Sequence, residues 1–186
     1  MLKGLLASVL VIALLGGCAP KGDSVAEKRQ SIQAMRSEAL AELYKIHPIA
    51  KTQVEDAAGY AVFSNVGVNL LLLSTASGWG VLRDKASGRD TYMSMFSAGI
   101  GMGLGVKDFR GVFVFTNKDT LTDFVEHGWD ANAQADAAAK SEDKGGAWAG
   151  AIDVAPGIKL YQITRQGLAL QATIQGTKYW KDGDLN

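Results

Sequence analysis

The chain has 186 residues, 19 basic against 19 acidic side chains, a hydrophobic share of 47% and a single cysteine. That length supports one domain with a real core, and the composition is globular rather than disordered. Charge balance gives no general attraction to nucleic acid, and one cysteine excludes an intramolecular disulfide or a cysteine-rich metal site.

Residues 1–17, MLKGLLASVLVIALLGG, carry a short positive start at Lys3 and an apolar run from Leu5 to Leu15. The run is too short to span a bilayer, which takes about 20 residues, and reads as a signal peptide. Leu15-Gly16-Gly17-Cys18 follows and resembles the bacterial lipobox, in which the cysteine is acylated (palmitate among the acyl groups) and becomes the first mature residue. Acylation also accounts for a lone cysteine in an oxidising compartment. Several acyl chains on one residue would make a stable anchor. Ala19 rather than Asp follows the cysteine; by resemblance to Gram-negative lipoproteins this favours the outer membrane, with the chain facing the periplasm. Residues 18–24 then form a lipidated tether, and 25–186 the folded domain.

Val25 to Ile46 reads as an amphipathic helix, with Ile32, Met35, Ala39, Leu43 and Ile46 at steps of three and four. Ser24 and Glu27 fit a capping box. Pro48 ends or kinks this helix, and a short second one runs from Ile49 to Ala57, stopping at Gly59. From Tyr60 the period becomes strand-like. Tyr60–Phe63 and Val66–Thr75 read as two runs, the second holding Leu70-Leu71-Leu72-Leu73, which without alternation fits a buried strand or a helix. Ser77–Arg83 and Arg89–Val106 flank a polar turn at residues 84–88, which signals a hairpin. Gly111–Phe115 is a further strand. Asn117 caps a helix over Lys118–His127 that Gly128 terminates. Trp129–Ala137 alternates with period two, favouring strand over helix. Residues 140–150 read as a loop, Lys159–Arg165 and Leu168–Gln175 as a strand pair, and Thr177–Trp180 as a last strand. The expectation is an α+β fold: N-terminal amphipathic helices and a curved, mostly antiparallel, glycine-rich sheet, closed partly or fully into a barrel, with one inserted helix.

The stretch Thr91–Val106 alternates apolar residues with Gly99, Gly101, Gly103 and Gly105. Glycine inside a strand costs stability, so the bare face is expected to admit a close neighbour, the N-terminal helix being the candidate. A nucleotide site fails on spacing. Leu104 stands where G-x-G-x-x-G needs its third glycine, and a strand follows where a phosphate cradle needs a helix. His47 and His127 fall in no ligand spacing and sit at helix ends, where capping or surface roles suffice. No G-x-S-x-G occurs. Neither catalysis, a cofactor nor a bound metal is expected; a hydrolase site assembled in space stays open as a third reading, which an exposed cleft holding His47 or His127 within hydrogen-bonding reach of a carboxylate would favour. Trp148, between glycines in a loop, suits a membrane interface or a ligand lid, or a loop folded back on the sheet.

Basic residues gather near the N-terminal helix (Lys28, Arg29, Arg36) and around the 84–88 turn (Arg83, Lys85, Arg89). Besides the plain reading of a solvated surface, these six are candidates for binding anionic lipid headgroups, at about 1 kcal/mol per basic residue held at such a surface.

Several pieces in order resemble the SYLF-domain family. Ala57-Ala58-Gly59-Tyr60-Ala61-Val62-Phe63 is similar to its A-x-G-x-A-[IV]-F entry into the sheet. Ser77–Leu82, the glycine-rich Ala98–Gly105, Gly111–Asp119, and Gly167-Leu168 to Lys178 follow at matching positions. Asp90-Thr91-Tyr92-Met93 stands where the family often has Trp-Ser-x-Pro. The resemblance implies a non-catalytic domain that binds lipid, phosphoinositides especially. The expected function is therefore an outer-membrane-anchored lipoprotein binding anionic phospholipid or phosphoinositide-like headgroups. The alternative is an envelope structural or protein-interaction module whose lipid is only an anchor. Expected partners are membrane phospholipids and possible envelope proteins, with no nucleic acid or nucleotide.

Overall fold

A computed structural model describes residues 20–70, 73–100, 105–130, 150–164, 167–169 and 176–186. Cys18, Trp148, Gly101, Gly103 and most of the expected 129–137 strand lie outside these residues.

Helix α1 spans Val25–Ile46, and its cap forms as its sequence predicts: the Ser24 hydroxyl accepts the Glu27 N–H, and the Glu27 carboxylate accepts the Ser24 N–H. Ile32, Met35, Ala39 and Leu43 make its buried stripe, while Ile46 is exposed. Pro48 separates it from α2, Ile49–Asp56. The chain then enters β1 at Gly59, so that glycine opens a strand rather than closing a helix.

Strands β1 (Gly59–Leu70), β2 (Leu73–Asp84), β3 (Asp90–Ile100) and β4 (Gly105–Phe115) are all antiparallel, in the spatial order β3-β2-β1-β4. Three strands in sequence with a fourth returning beside the first is a Greek key. Two expectations are corrected here. The leucine run is not one strand: Leu70 ends β1 and pairs with Leu73, which begins β2. Thr91–Val106 is likewise divided between β3 and β4, which are not neighbours. Helix α3, Lys118–His127, follows with Asn117 Oδ1 accepting the Thr120 N–H. The sheet is completed by β5 (Trp129–Asp130), β6 (Ile152–Ala155), β7 (Ile158–Thr164), β8 (Gly167–Ala169) and β9 (Thr177–Lys181). β6 was not anticipated. Its four residues have no alternation to read, and it exists by pairing with β7. The sheet runs β5-β9-β3-β2-β1-β4-β7-β6, with β8 also on β7, and curls into an antiparallel half-barrel.

The sheet is buried on both sides, with different chemistry on each. One face presents Val62, Val81, Val112, Val114, Tyr161 and Ile163 to α1 and α2. The other presents Phe63, Phe113, Phe115, Met93, Met95 and Tyr179 to α3 and Trp129. On that second face Phe63 and Phe113 meet edge to face at 5.7 Å, and Phe113 and Tyr179 at 5.2 Å, the offset geometry that aromatic quadrupoles favour. Gly80 makes room for this cluster, because a Cβ there would collide with the Phe63 ring and the Val62 carbonyl. In β3 the odd residues Met93 and Met95 point into the aromatic core. Tyr92, on the even face, is the residue that meets the helix.

Candidate functional site

Asp90 opens β3, and its carboxylate is the meeting point of three elements. Oδ1 accepts from Arg36 Nη1 of α1 at 3.0 Å and from Arg83 Nε of β2 at 2.5 Å. Oδ2 accepts from Arg83 Nη2 at 2.9 Å and from Gln33 Nε2 at 2.8 Å. The Arg83 contact is bidentate, the geometry that makes guanidinium–carboxylate pairs strong, and it raises the Arg83 pKa above its already high value. The three charged side chains are only 17%, 18% and 30% exposed, so water screens them little. Gln33 Nε2 also donates to the Tyr92 hydroxyl at 2.9 Å. Together these bonds fasten α1 across the β2–β3 hairpin.

Beside this node lies a cleft of about 650 Å³ that wraps around the sheet edge. Its floor is Arg89–Tyr92. Arg29 of α1 stands on one side and the last turn of α3 on the other, while Trp180 and Lys181 of β9 and the following residues Leu185 and Asn186 complete it. The volume is in the range of small-ligand sites. Three cations line it, Arg29, Arg89 and Lys181, against two carboxylates, Asp90 and Glu126. Asp90 is already neutralised by the guanidinium groups behind it. Arg29 donates Nε to the Leu185 carbonyl at 2.9 Å and lies 5.4 Å from the Tyr92 ring centroid, a cation–π distance. Among the described residues, the Arg89 and Lys181 head groups have no polar partner. Trp180, 44% exposed, supplies an amphipathic ring.

The six basic candidates thus separate. Arg29 and Arg89 line the cleft. Arg36 and Arg83 stand behind it, bound to Asp90. Lys85 is elsewhere, donating to the Val54 and Glu55 carbonyls at the C-terminal end of α2, where a cation suits the helix dipole. Lys28 is half-buried on α1 and outside the cleft lining. Sequence reasoning missed Lys181 and Trp180, whose adjacent basic and aromatic side chains on a short edge strand were the available signal.

His127 borders the cleft, with Nδ1 2.9 Å from Asp123 Oδ1. A histidine–carboxylate pair at a cleft is the arrangement that would favour hydrolysis, but these side chains are 73% and 68% exposed and one helical turn apart. Among the described residues the ring has no other polar partner. His47 lies with its ring 5.7 Å from that of Tyr161 against the helix-side core. Among the described residues no group of three or more His, Cys, Asp or Glu side chains could hold a metal ion, and no helix is long and apolar enough to cross a membrane.

No family model matches the chain. It is similar to beta cell expansion factor A of Aeromonas veronii, 37% identical over 161 residues. The match takes in 86% of this chain and 59% of that protein, so the chain spans little more than half the length of its relative.

Proposed function

We propose that the chain is a lipoprotein, anchored through Cys18 at the periplasmic face of the outer membrane, whose domain binds anionic lipid headgroups without catalysing a reaction. The observation that carries this reading is the cationic cleft itself. Arg89 and Lys181 have open head groups, and Arg29 and the half-exposed Trp180 line the same cleft. A headgroup phosphate would meet the cations, and the indole suits the boundary between headgroup and acyl chain. Position supports it too. Arg29 is in the second turn of α1, and a tether of six residues, 19–24, reaches at most about 20 Å, so an anchor at Cys18 would keep this end of the domain near the bilayer. The resemblance to the SYLF family agrees with the same reading.

The second reading is an envelope interaction module whose lipid serves only as a tether. Exposed apolar side chains outside the cleft lining favour it: Phe96 on β3, and Ile46 and Ile49 at the corner between α1 and α2. Co-sedimentation of residues 20–186 with vesicles separates the two. The lipid-binding reading expects association that grows with anionic lipid content and weakens with salt. Absence of association at any composition would leave the module.

A further inference from the structure

Helices α1 and α2 leave part of their own face of the sheet open. On β2 and β3 their cover reaches Val81, Tyr92 and one side of Trp79. In the row of Trp79, Ser94 of β3 stands between Trp79 of β2 and Trp180 of β9. One row further along the same face, Phe96 stands between Ser77 and Lys178. Diagonal neighbours on a sheet face lie within reach of aromatic rings, so Phe96 adjoins both tryptophans. Trp79 is half-buried against the helix-side core, whereas Phe96 is 46% and Trp180 44% exposed. The alternation of β9 sends Tyr179 into the aromatic core and leaves Lys178 and Trp180 outside. Ser94 Oγ, between the tryptophans, donates to Asp182 Oδ2 at 2.5 Å, and Lys178 Nζ lies 3.3 Å from Asp130 Oδ2 with 70% of its side chain exposed. Single exposed apolar side chains are ordinary; three adjoining aromatic rings on one sheet face mark a contact surface.

We infer that this aromatic face enters the boundary between headgroups and acyl chains of a phospholipid bilayer, with Phe96 and Trp180 as the inserted side chains. The inference rests on the lipid-binding reading and adds how the domain lies on the membrane. Phe96 alone would suit a protein partner equally, but its surroundings commit the face to a bilayer. Trp180 belongs to two surfaces at once, because it also lines the cationic cleft with Arg89 and Lys181. A phosphate in the cleft and an apolar phase at Phe96 therefore meet one continuous surface. The rings are flanked by Lys178 and Lys181, both exposed. Aromatic rings at the boundary, with lysine stems that let ammonium groups reach the phosphates, are the composition of an interfacial surface. Position agrees: Arg29, in the second turn of α1, lines the same cleft as Trp180, so the tether before Ser24 starts beside this face. The two contributions differ in kind. Salt screens the attraction of the cleft cations, whereas burial of the aromatic rings does not depend on charge.

Every described helix and strand lies within residues 20–186, a stretch without cysteine, so Phe96→Cys there offers one thiol for an environment-sensitive dye. The control dye is placed at Thr52→Cys, an exposed position of α2. Vesicles of phosphatidylglycerol and phosphatidylcholine are used with and without a nitroxide quencher on the acyl chains. On binding, the dye at residue 96 should shift to the blue and be quenched, and the dye at residue 52 should do neither. Phe96→Ser should weaken co-sedimentation about tenfold, as loss of a buried large apolar side chain does. The slope of its decline with salt should stay that of the wild type, because no cation is removed. Association with the dye at residue 96 still in water, or full-strength association of Phe96→Ser, would overturn the inference. Either result leaves headgroup binding in the cleft standing and assigns Phe96 to a protein partner. No association at any lipid composition removes the lipid-binding reading and this inference with it.

Discussion

Arg83 and Arg89 sit six residues apart, on either side of one hairpin turn, yet they belong to different populations of charge. Arg83, with Arg36, is bound to a carboxylate in a part-buried node, while Arg89, with Lys181, opens into a cleft without a polar partner among the described residues. The first pair holds α1 to the sheet. The second is what an anionic ligand would meet. Formal charge is equal in both, so counting cations along the chain cannot tell a structural arginine from an available one. What separates them is the register that brings Asp90 opposite Arg83.

The sharpest way to break this comparison is at Asp90. Asp90→Ala leaves two part-buried guanidinium groups without their acceptor and the Gln33 amide with the Tyr92 hydroxyl alone. It should cost about 2–3 kcal/mol of stability, read as a lower urea midpoint with unchanged slope. Arg36→Ala removes only one arm of the node and should cost about 1 kcal/mol by the same measurement. Arg89→Ala or Lys181→Ala should leave the midpoint within about 0.5 kcal/mol. Each should weaken association with anionic vesicles about fivefold, the equivalent of about 1 kcal/mol per basic residue. If Arg89→Ala destabilised the fold as Asp90→Ala does, the division between the two populations would be wrong.

The smallest expected effect is at the turn between these arginines. Asp84 has a carboxylate pKa held below its ordinary value, first by the Ser87 hydroxyl and then by the Ser87 and Ala86 N–H groups. A carboxylate depressed in the folded state contributes stability that is present above its unfolded pKa and lost as the pH falls through its folded pKa. Thermal melts of the wild type and Asp84→Asn should therefore differ near neutral pH and converge as the solution is acidified through the carboxylate range.

Much of this architecture could be read from the residues. The capping box of α1, the breaks at Pro48 and Gly128, and the 84–88 turn are local signals, and each forms where its side-chain chemistry requires. Sheet order is not local. Leu70 and Leu73 look like one buried strand until the hairpin pairs them, and the glycine alternation says which residues share a face but not which layer that face meets. The site was half legible for the same reason. Arg29 and Arg89 stand near recognisable elements, whereas Lys181 and Trp180 arrive only because β9 crosses most of the chain to pair with β3. The two-sided burial of the sheet, aliphatic toward α1 and aromatic toward α3, likewise follows from pairings among distant strands.

The claim that most needs testing is that the cleft cations, rather than the basic surface as a whole, bind the membrane. Residues 20–186 carrying both Arg89→Ala and Lys181→Ala should be compared with a control carrying two alanines at Lys28 and Lys85, which has the same net charge. Co-sedimentation with anionic vesicles at fixed salt is the readout. The account predicts near-wild-type association for the control and a loss of about twentyfold or more for the cleft variant. Equal losses in the two would show diffuse attraction and contradict a cleft site.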